Sequence, residues 1–383
     1  MTPDISENSK YLLEIIRAAL EGRQAPPPPE GADFSMLFAA AKAHLLAPMA
    51  YHGLYRLGLP EEQIAPFAEA HRKNVKRSMM QEAQARRVFA ALESRGIDYC
   101  PVKGWFTRML YPDPSMRVMS DVDILIRTEN RPDSRKLMDE LGYSCVRYDI
   151  TDDDKYKLSG LLTEFHTGLD SAGTKDRAHY EEPFALTEKV SEHGYRLRLE
   201  EEYLYTVIHA LKHFMNYGLG IRALIDVYLY ITKAGLDRAK AAGLAEEMGV
   251  SRFMACMEKT AVAAFGGEEF DSDSAEILKF MLECGAGGTA ENYEAVRLMR
   301  SGGGTKASYL LRKIFPPTEE MKQRDPILKK HIALLPFMHV RRWFQLIFKR
   351  RDRIEQGLGR IAAVSEEDKE RVRRIHSITG IDL

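Results

Sequence analysis

The chain has 383 residues, with 55 Lys and Arg against 56 Asp and Glu, a formal net charge of −1. That balance excludes a protein that is basic all over, such as a nucleic-acid coat or a polybasic membrane binder. The length gives a prior of two or three domains, and 45% hydrophobic residues suffice for a buried core.

Residues 1–95 read as a helical region. Leu12, Leu13, Ile15, Ile16, Ala19 and Leu20 follow helical spacing, and Pro26 to Pro29 form a stiff extended connector. Phe34, Leu37, Phe38, Ala41 and Leu45 mark a second amphipathic helix. Glu61 to Arg95 is rich in strong helix formers and stops at Gly96.

Residues 96–200 change texture to a mixed α/β core. Ile97 to Val102 reads as a short strand, Lys103-Gly104 opens a short segment reaching Leu110, and Tyr111-Pro112-Asp113-Pro114 is a turn cluster. Val122 to Ile126 reads as a strand, Pro132 to Leu141 as a helix ending at Gly142, and Tyr143 to Tyr148 and Leu161 to Leu169 as further strands. From residue 201 to 383 helical periodicity returns, through Tyr203, Val207, Leu211 and Phe214, then Ile221, Leu224, Ile225, Tyr228 and Leu229. The fold class is therefore α+β, majority helix: a small mixed sheet between helical flanks.

Cys100, Cys145, Cys256 and Cys284 are far apart and form no C-x-x-C pair, which suits lone thiols in a reducing cytoplasm. The N-terminus lacks the basic and apolar stretches of a signal peptide, and no apolar run reaches the ~20 residues of a membrane span. A cytoplasmic protein without a membrane span is the expectation.

The chemistry concentrates at Asp121 and Asp123. On a strand, residues i and i+2 share a face. Two carboxylates so placed repel unless a cation or proton lies between them, and hard oxygen donors suit Mg²⁺ or Mn²⁺. The same D-x-D spacing recurs at Asp152/Asp154 and Asp271/Asp273, where polar surroundings read as solvated loop. Context separates the first pair: it opens an apolar strand, follows a Lys-Gly turn, and has a third carboxylate, Glu164, on a later strand.

These residues resemble the DNA polymerase β-type nucleotidyltransferase superfamily, and more narrowly a bacterial family of uncharacterised nucleotidyltransferases. The shared motifs are Lys103-Gly104, Tyr111-Pro112-Asp113-Pro114, Arg117 to Leu125, and Glu164-Phe165-His166. An upstream helix around Ala39 to Pro48 and a downstream one around Ile208 to His213 match as well. The resemblance implies that Asp121, Asp123 and Glu164 bind two divalent ions and catalyse transfer of NMP from an NTP to a hydroxyl, with release of pyrophosphate. It implies nucleotide contacts from Lys103, Gly104, Arg117 and Ser120, with His166, His213 and Asp226 behind them. The acceptor, a small molecule, an RNA or a protein, is left open. So are a toxin or defence enzyme acting on tRNA or protein, and a lapsed nucleotide-binding module. The last is motivated by Trp105, which stands where superfamily members carry a serine.

Other features read as structural. His209 and His213, four apart, read as a helix face beside the site rather than a zinc site. Arg222 and Asp226, also four apart, suit an intrahelical ion pair. Gly302-Gly303-Gly304-Thr305-Lys306 reads as a flexible loop. Arg341 to Arg353 reads as a basic amphipathic helix with its apolar face in the core; a surface for RNA or membrane is the alternative.

Overall fold

A computed structural model describes residues 5–149, 153–173, 175–300, 314–329, 331–349, 359–361 and 363–381. The chain forms two compact units, Met1–Lys212 with Leu219–Ala286, and His213–Gly218 with Gly287–Leu383. The described residues are mostly helical.

The first unit begins with α1 (Glu7–Leu20), α2 (Phe34–Ala43), α3 (Ala47–Leu54) and α4 (Glu61–Ser94). The proline run is tied down rather than loose: Ala25 N–H donates to the Gly53 carbonyl and the Tyr11 hydroxyl to the Pro26 carbonyl. The buried residues of α4 include Phe67, Asn74, Gln81 and Val88, seven apart, with Ala85 and Leu92 alongside. That spacing keeps one stripe against the rest of the unit.

β1 (Tyr99–Pro101), α5 (Gly104–Thr107), β2 (Asp121–Ile126), α6 (Arg131–Glu140), β3 (Ser144–Arg147), β4 (Asp153–Leu158) and β5 (Leu161–His166) follow. The five strands form one sheet in the order β1-β2-β5-β4-β3. β2 and β5 are parallel, and the other pairs are antiparallel. Val122, Ile124, Ile126, Tyr156 and Phe165 join Ala85, Val88 and Leu92 of α4 and Leu137 and Met138 of α6 in one core. Alternation then sends Asp121, Asp123, Glu164 and His166 to the opposite face.

β4 corrects the reading of Asp154 as solvated loop, while Asp152 lies outside the described residues. Asp154 is 1% exposed and is gripped by Arg131 through both carboxylate oxygens, at 2.9 and 2.6 Å. The segment Asp153–Leu158 has few apolar residues, so its strand character comes from pairing with β5. Asp271 is likewise no loop residue: with Ser274 it forms the capping box of a later helix, an arrangement that contributes ~0.5–2 kcal/mol.

α7 (Lys175–His179) and the hairpin of β6 (Thr187–Lys189) and β7 (Tyr195–Leu197) lead to α8 (Leu199–Tyr217) and α9 (Arg222–Lys233). α10 (Arg238–Glu247), α11 (Ser251–Phe265) and α12 (Ser272–Cys284) complete the first unit. No helix of the described residues is long and apolar enough to cross a membrane.

In the second unit, α13 (Ala290–Arg300) packs on the helix Glu366–Thr379 around Ala295, Val296, Leu298 and Val372. The predicted basic helix is present as Leu335–Lys349, but Phe337, Val340 and Phe344 are exposed, so its apolar residues are not all turned into a core. Residues 350–353 of that segment and the Gly302–Lys306 loop lie outside the described residues.

Candidate active site

The register of β2 and β5 builds the site. Asp123 stands opposite Glu164 and Leu125 opposite His166. His166 Nε2 lies 2.7 Å from Asp123 Oδ1 and 4.0 Å from Glu164 Oε2. Lys103 Nζ donates to the same Asp123 Oδ1 at 2.9 Å, and Lys155 of β4, opposite Glu164 in register, donates to Glu164 Oε1. Asp123 and Glu164 are 7% and 5% exposed, so this is a buried charge cluster rather than a solvated edge.

Burial, then Asp123 and Glu164, push the Asp121 carboxyl up to about 6. Burial acts on Asp123 in the same sense, but Lys103 and His166 outweigh it and hold that carboxyl well below the usual range. Burial would lower the Lys103 ammonium, yet Asp123, Tyr205 and Asp170 keep it above its ordinary value. Three carboxylates thus face two lysines, and Asp121 carries the unmatched charge.

Asp123, Glu164 and His166 bring ligand atoms within 4.8 Å of one another, and they form the one such group found among the described residues. Two hard carboxylate oxygens, an imidazole nitrogen and a neighbouring carboxyl short of positive charge fit a divalent cation of the Mg²⁺ or Mn²⁺ type.

The turn before the site is strained. Lys103 has φ 55° and ψ −123°, a region that costs a non-glycine residue ~1–3 kcal/mol and tends to occur at functional sites. Val102 N–H bonds the Asp123 carbonyl at 3.0 Å and Thr107 Oγ1 bonds the Lys103 carbonyl at 3.0 Å, which holds the turn against β2. Trp105 belongs to the core: it meets Phe89 edge-on at 5.1 Å, and the Arg108 guanidinium stacks 4.0 Å over its ring.

Gly104 is needed for a different reason. A Cβ there would lie 2.3 Å from Arg117 Nη1. Arg117 binds Asp226 of α9 through two hydrogen bonds of 2.8 Å, and Tyr111 donates to the same carboxylate at 2.8 Å. Arg117 therefore spends its bidentate face on Asp226. Asp226 in turn is bound by Arg117 rather than held in an intrahelical pair, while Arg222 donates to the Val118 carbonyl at 3.2 Å. These contacts join the Lys-Gly turn, the Tyr-Pro loop and α9 into one buried brace.

Several supports were not visible in the sequence. Asn74, Arg77 and Gln81 of α4 donate to the carbonyls of Ser115, Met119 and Ser120, fixing the approach to β2. Polar residues at heptad positions of a helix stripe are the signal that marks them. Ser120 is exposed, and its carbonyl is the acceptor for Arg77. Asp170, four residues past β5, receives His209 Nδ1 at 3.1 Å, Lys212 Nζ, and Lys103 Nζ at 3.5 Å. No spacing announced it. His209 is thus bound to Asp170, and His213, four residues on, is exposed.

The small mixed sheet thus carries Asp121 and Asp123 on one strand and a glutamate opposite Asp123 on the next. The chain belongs to the family described as "Uncharacterised nucleotidyltransferase", whose model matches residues 30–266. No curated protein matches the chain. The solution structure of the antibiotic-resistance factor ANT(2'')-Ia is 15% identical, covering 46% of this chain and 95% of that one, at a TM-score of 0.34. A crystal structure of ANT(2'')-Ia in complex with adenylyl-2''-tobramycin is also 15% identical, covering 44% and 97%, at a TM-score of 0.35. At that level of likeness neither structure informs this chain's chemistry.

Proposed function

We propose that this protein is a divalent-cation-dependent enzyme that transfers NMP from an NTP to a hydroxyl and releases pyrophosphate. The observation that carries the reading is the buried pairing of Asp123 with Glu164, with Asp121 beside them pushed up to about 6. Asp121, Asp123 and Glu164 would hold the metal, with His166 as a nitrogen donor. When bound, such an ion offsets phosphate charge and lowers the pKa of an attacking hydroxyl.

The protein's own residues supply the frame. Lys103, held between Asp123 and Asp170, places a fixed positive charge at the turn where a nucleotide's phosphates would enter. Lys155 keeps Glu164 in place on β5. The brace of Arg117, Tyr111 and Asp226 fixes the loop that leads into β2. Phosphoryl transfer depends mainly on positioning and charge, and a rigid buried frame provides both.

The test is incubation of purified protein with each α-labelled NTP, Mg²⁺ or Mn²⁺ and cell extract, followed by separation of protein, RNA and small molecules. Label is expected in one fraction, and none with Asp123→Ala. Absence of label with every NTP and both metals overturns the reading. NTP binding without turnover would leave a nucleotide-binding module instead.

A further inference from the structure

We propose that His209, aligned by Asp170, accepts the proton of the acceptor hydroxyl as that hydroxyl attacks the nucleotide; the inference rests on the transferase reading above.

His209 lies on α8 and places Nδ1 3.1 Å from Asp170 Oδ2. The same oxygen is 3.5 Å from Lys103 Nζ, which in turn is 2.9 Å from Asp123 Oδ1. One continuous line of charged groups thus runs from the buried carboxylate of the sheet to the imidazole. An ionised carboxylate can only accept a hydrogen bond, so the proton of neutral His209 resides on Nδ1 and the lone pair on Nε2. This is the tautomer that a proton acceptor requires, fixed by a carboxylate behind the ring.

Its surroundings favour the same role. The His209 side chain is 32% exposed, more than the carboxylates of Asp123 and Glu164. Tyr205, one turn earlier on α8, sets its ring 6.4 Å from the imidazole. Burial lowers the histidine below its ordinary value, and Asp170 only partly offsets that, which leaves it neutral near pH 7. The charged groups that act on it are Asp170, Lys103 and Asp123, with Lys212 on the same Asp170 carboxylate. The rival acceptor, Glu164, has one oxygen on Lys155 and the other 4.0 Å from His166, within the metal-holding group.

The step balances as follows. The acceptor O–H bond breaks and its proton passes to His209 Nε2. The oxygen forms a bond to the α-phosphorus, and the bond from that phosphorus to the bridging oxygen breaks. The electron pair of that bond leaves with pyrophosphate. Asp170 stays ionised and stabilises the imidazolium that forms.

The experiment uses the full chain, the labelled NTP that the wild type consumes, and the fraction that the wild type labels. His209→Ala is expected to lower kcat by ~10²–10⁴-fold. Affinity for a non-hydrolysable analogue of that NTP should stay within about threefold. Added imidazole should restore kcat to His209→Ala at least tenfold but should do nothing for Asp123→Ala. Asp170→Asn, which takes the carboxylate from His209 and also from Lys103 and Lys212, should lower kcat but leave His209 in place, so added imidazole should not restore it. An unchanged kcat in His209→Ala overturns the proposal, and so does a loss in that variant that imidazole does not relieve. If the wild type labels no fraction, the transferase reading itself has failed, which is a different result from an active wild type with an equally active His209→Ala.

Discussion

The two faces of the five-stranded sheet each bury an aspartate, and the contrast between them separates structure from chemistry. On the helix-covered face, Asp154 is bound through both of its oxygens by Arg131, which also reaches the exposed Asp149, so its charge is fully met. On the other face, Asp123 shares its surroundings with Asp121 and Glu164; Lys103 and His166 bind Asp123 and Lys155 binds Glu164, while the Asp121 carboxyl is pushed up to about 6. A matched buried pair is closed and needs no ligand. A crowded cluster with unmatched charge stays poised for a cation. D-x-D spacing occurs in the sequence at both Asp121/Asp123 and Asp152/Asp154, so spacing alone does not tell Asp123 from Asp154; the partner does.

The contrast can be broken most sharply by exchanging which aspartate is removed. Asp121→Ala should cut nucleotide transfer by at least ~10³-fold, about 4 kcal/mol of barrier, while the thermal midpoint stays level or rises, because its ionised carboxyl is disfavoured in the fold. Asp154→Ala should do the reverse. Leaving the buried Arg131 with only the exposed Asp149 beside it should cost up to ~3–5 kcal/mol in chemical denaturation, with activity per folded molecule retained. If Asp154→Ala were silent in stability and Asp121→Ala unfolded the protein, the distinction between the faces would collapse.

The brace around Asp226 sharpens the point, since it is a matched pair beside the crowded cluster. Asp226→Asn should destabilise by a similar ~3–5 kcal/mol. Burial would raise the Asp226 carboxyl, but Arg117, then Arg222 and Tyr111, outweigh it and hold it below its ordinary value. The unfolded chain therefore binds this proton more readily. The stabilisation is complete above the unfolded value of ~3.9 and is lost as pH falls through the lower folded value. Urea titrations from pH 6 down to pH 2 should show a shallower acid limb in Asp226→Asn than in the wild type.

Smaller effects follow at the turn and on the surface. Gly104→Ala should cost ~1–3 kcal/mol, because the new methyl meets an Arg117 guanidinium that Asp226 keeps from moving aside. Arg86→Ala, which removes an exposed i,i+4 pair with Glu82 on α4, should change stability by no more than ~0.3–0.5 kcal/mol. A loss there as large as that of Asp226→Asn would show that exposed pairs matter as much to this protein as its buried ones.

Much of the architecture was legible along the chain because it rests on local rules. The long α4 follows from helix-forming composition and a stop at Gly96. β2 follows from an apolar run, and α6 from a proline in its first turn and Gly142 beyond its end. β4 was not legible, because its core side is formed by Asp154, Tyr156 and Leu158 among charged neighbours, and Asp154 becomes a core residue only through Arg131. Trp105, read as the replacement of a phosphate-holding serine, is a packing residue under Phe89. No local pattern distinguishes those two uses of one position.

The sequence by itself determined that a D-x-D pair opens a buried strand, that a glycine follows Lys103, and that an acidic residue stands two before a histidine. Those features are short-range, and strand periodicity alone puts both members of each pair on one face. Only the tertiary structure decided the partners: Glu164 opposite Asp123, Asp226 on Arg117 across 109 positions, and His209 on Asp170 across 39. Buried charges must find counter-charges through space, and the chain carries many acids and bases that would serve equally well. Which of them meet is fixed by packing, and that packing determines whether a carboxylate is a strut or a site.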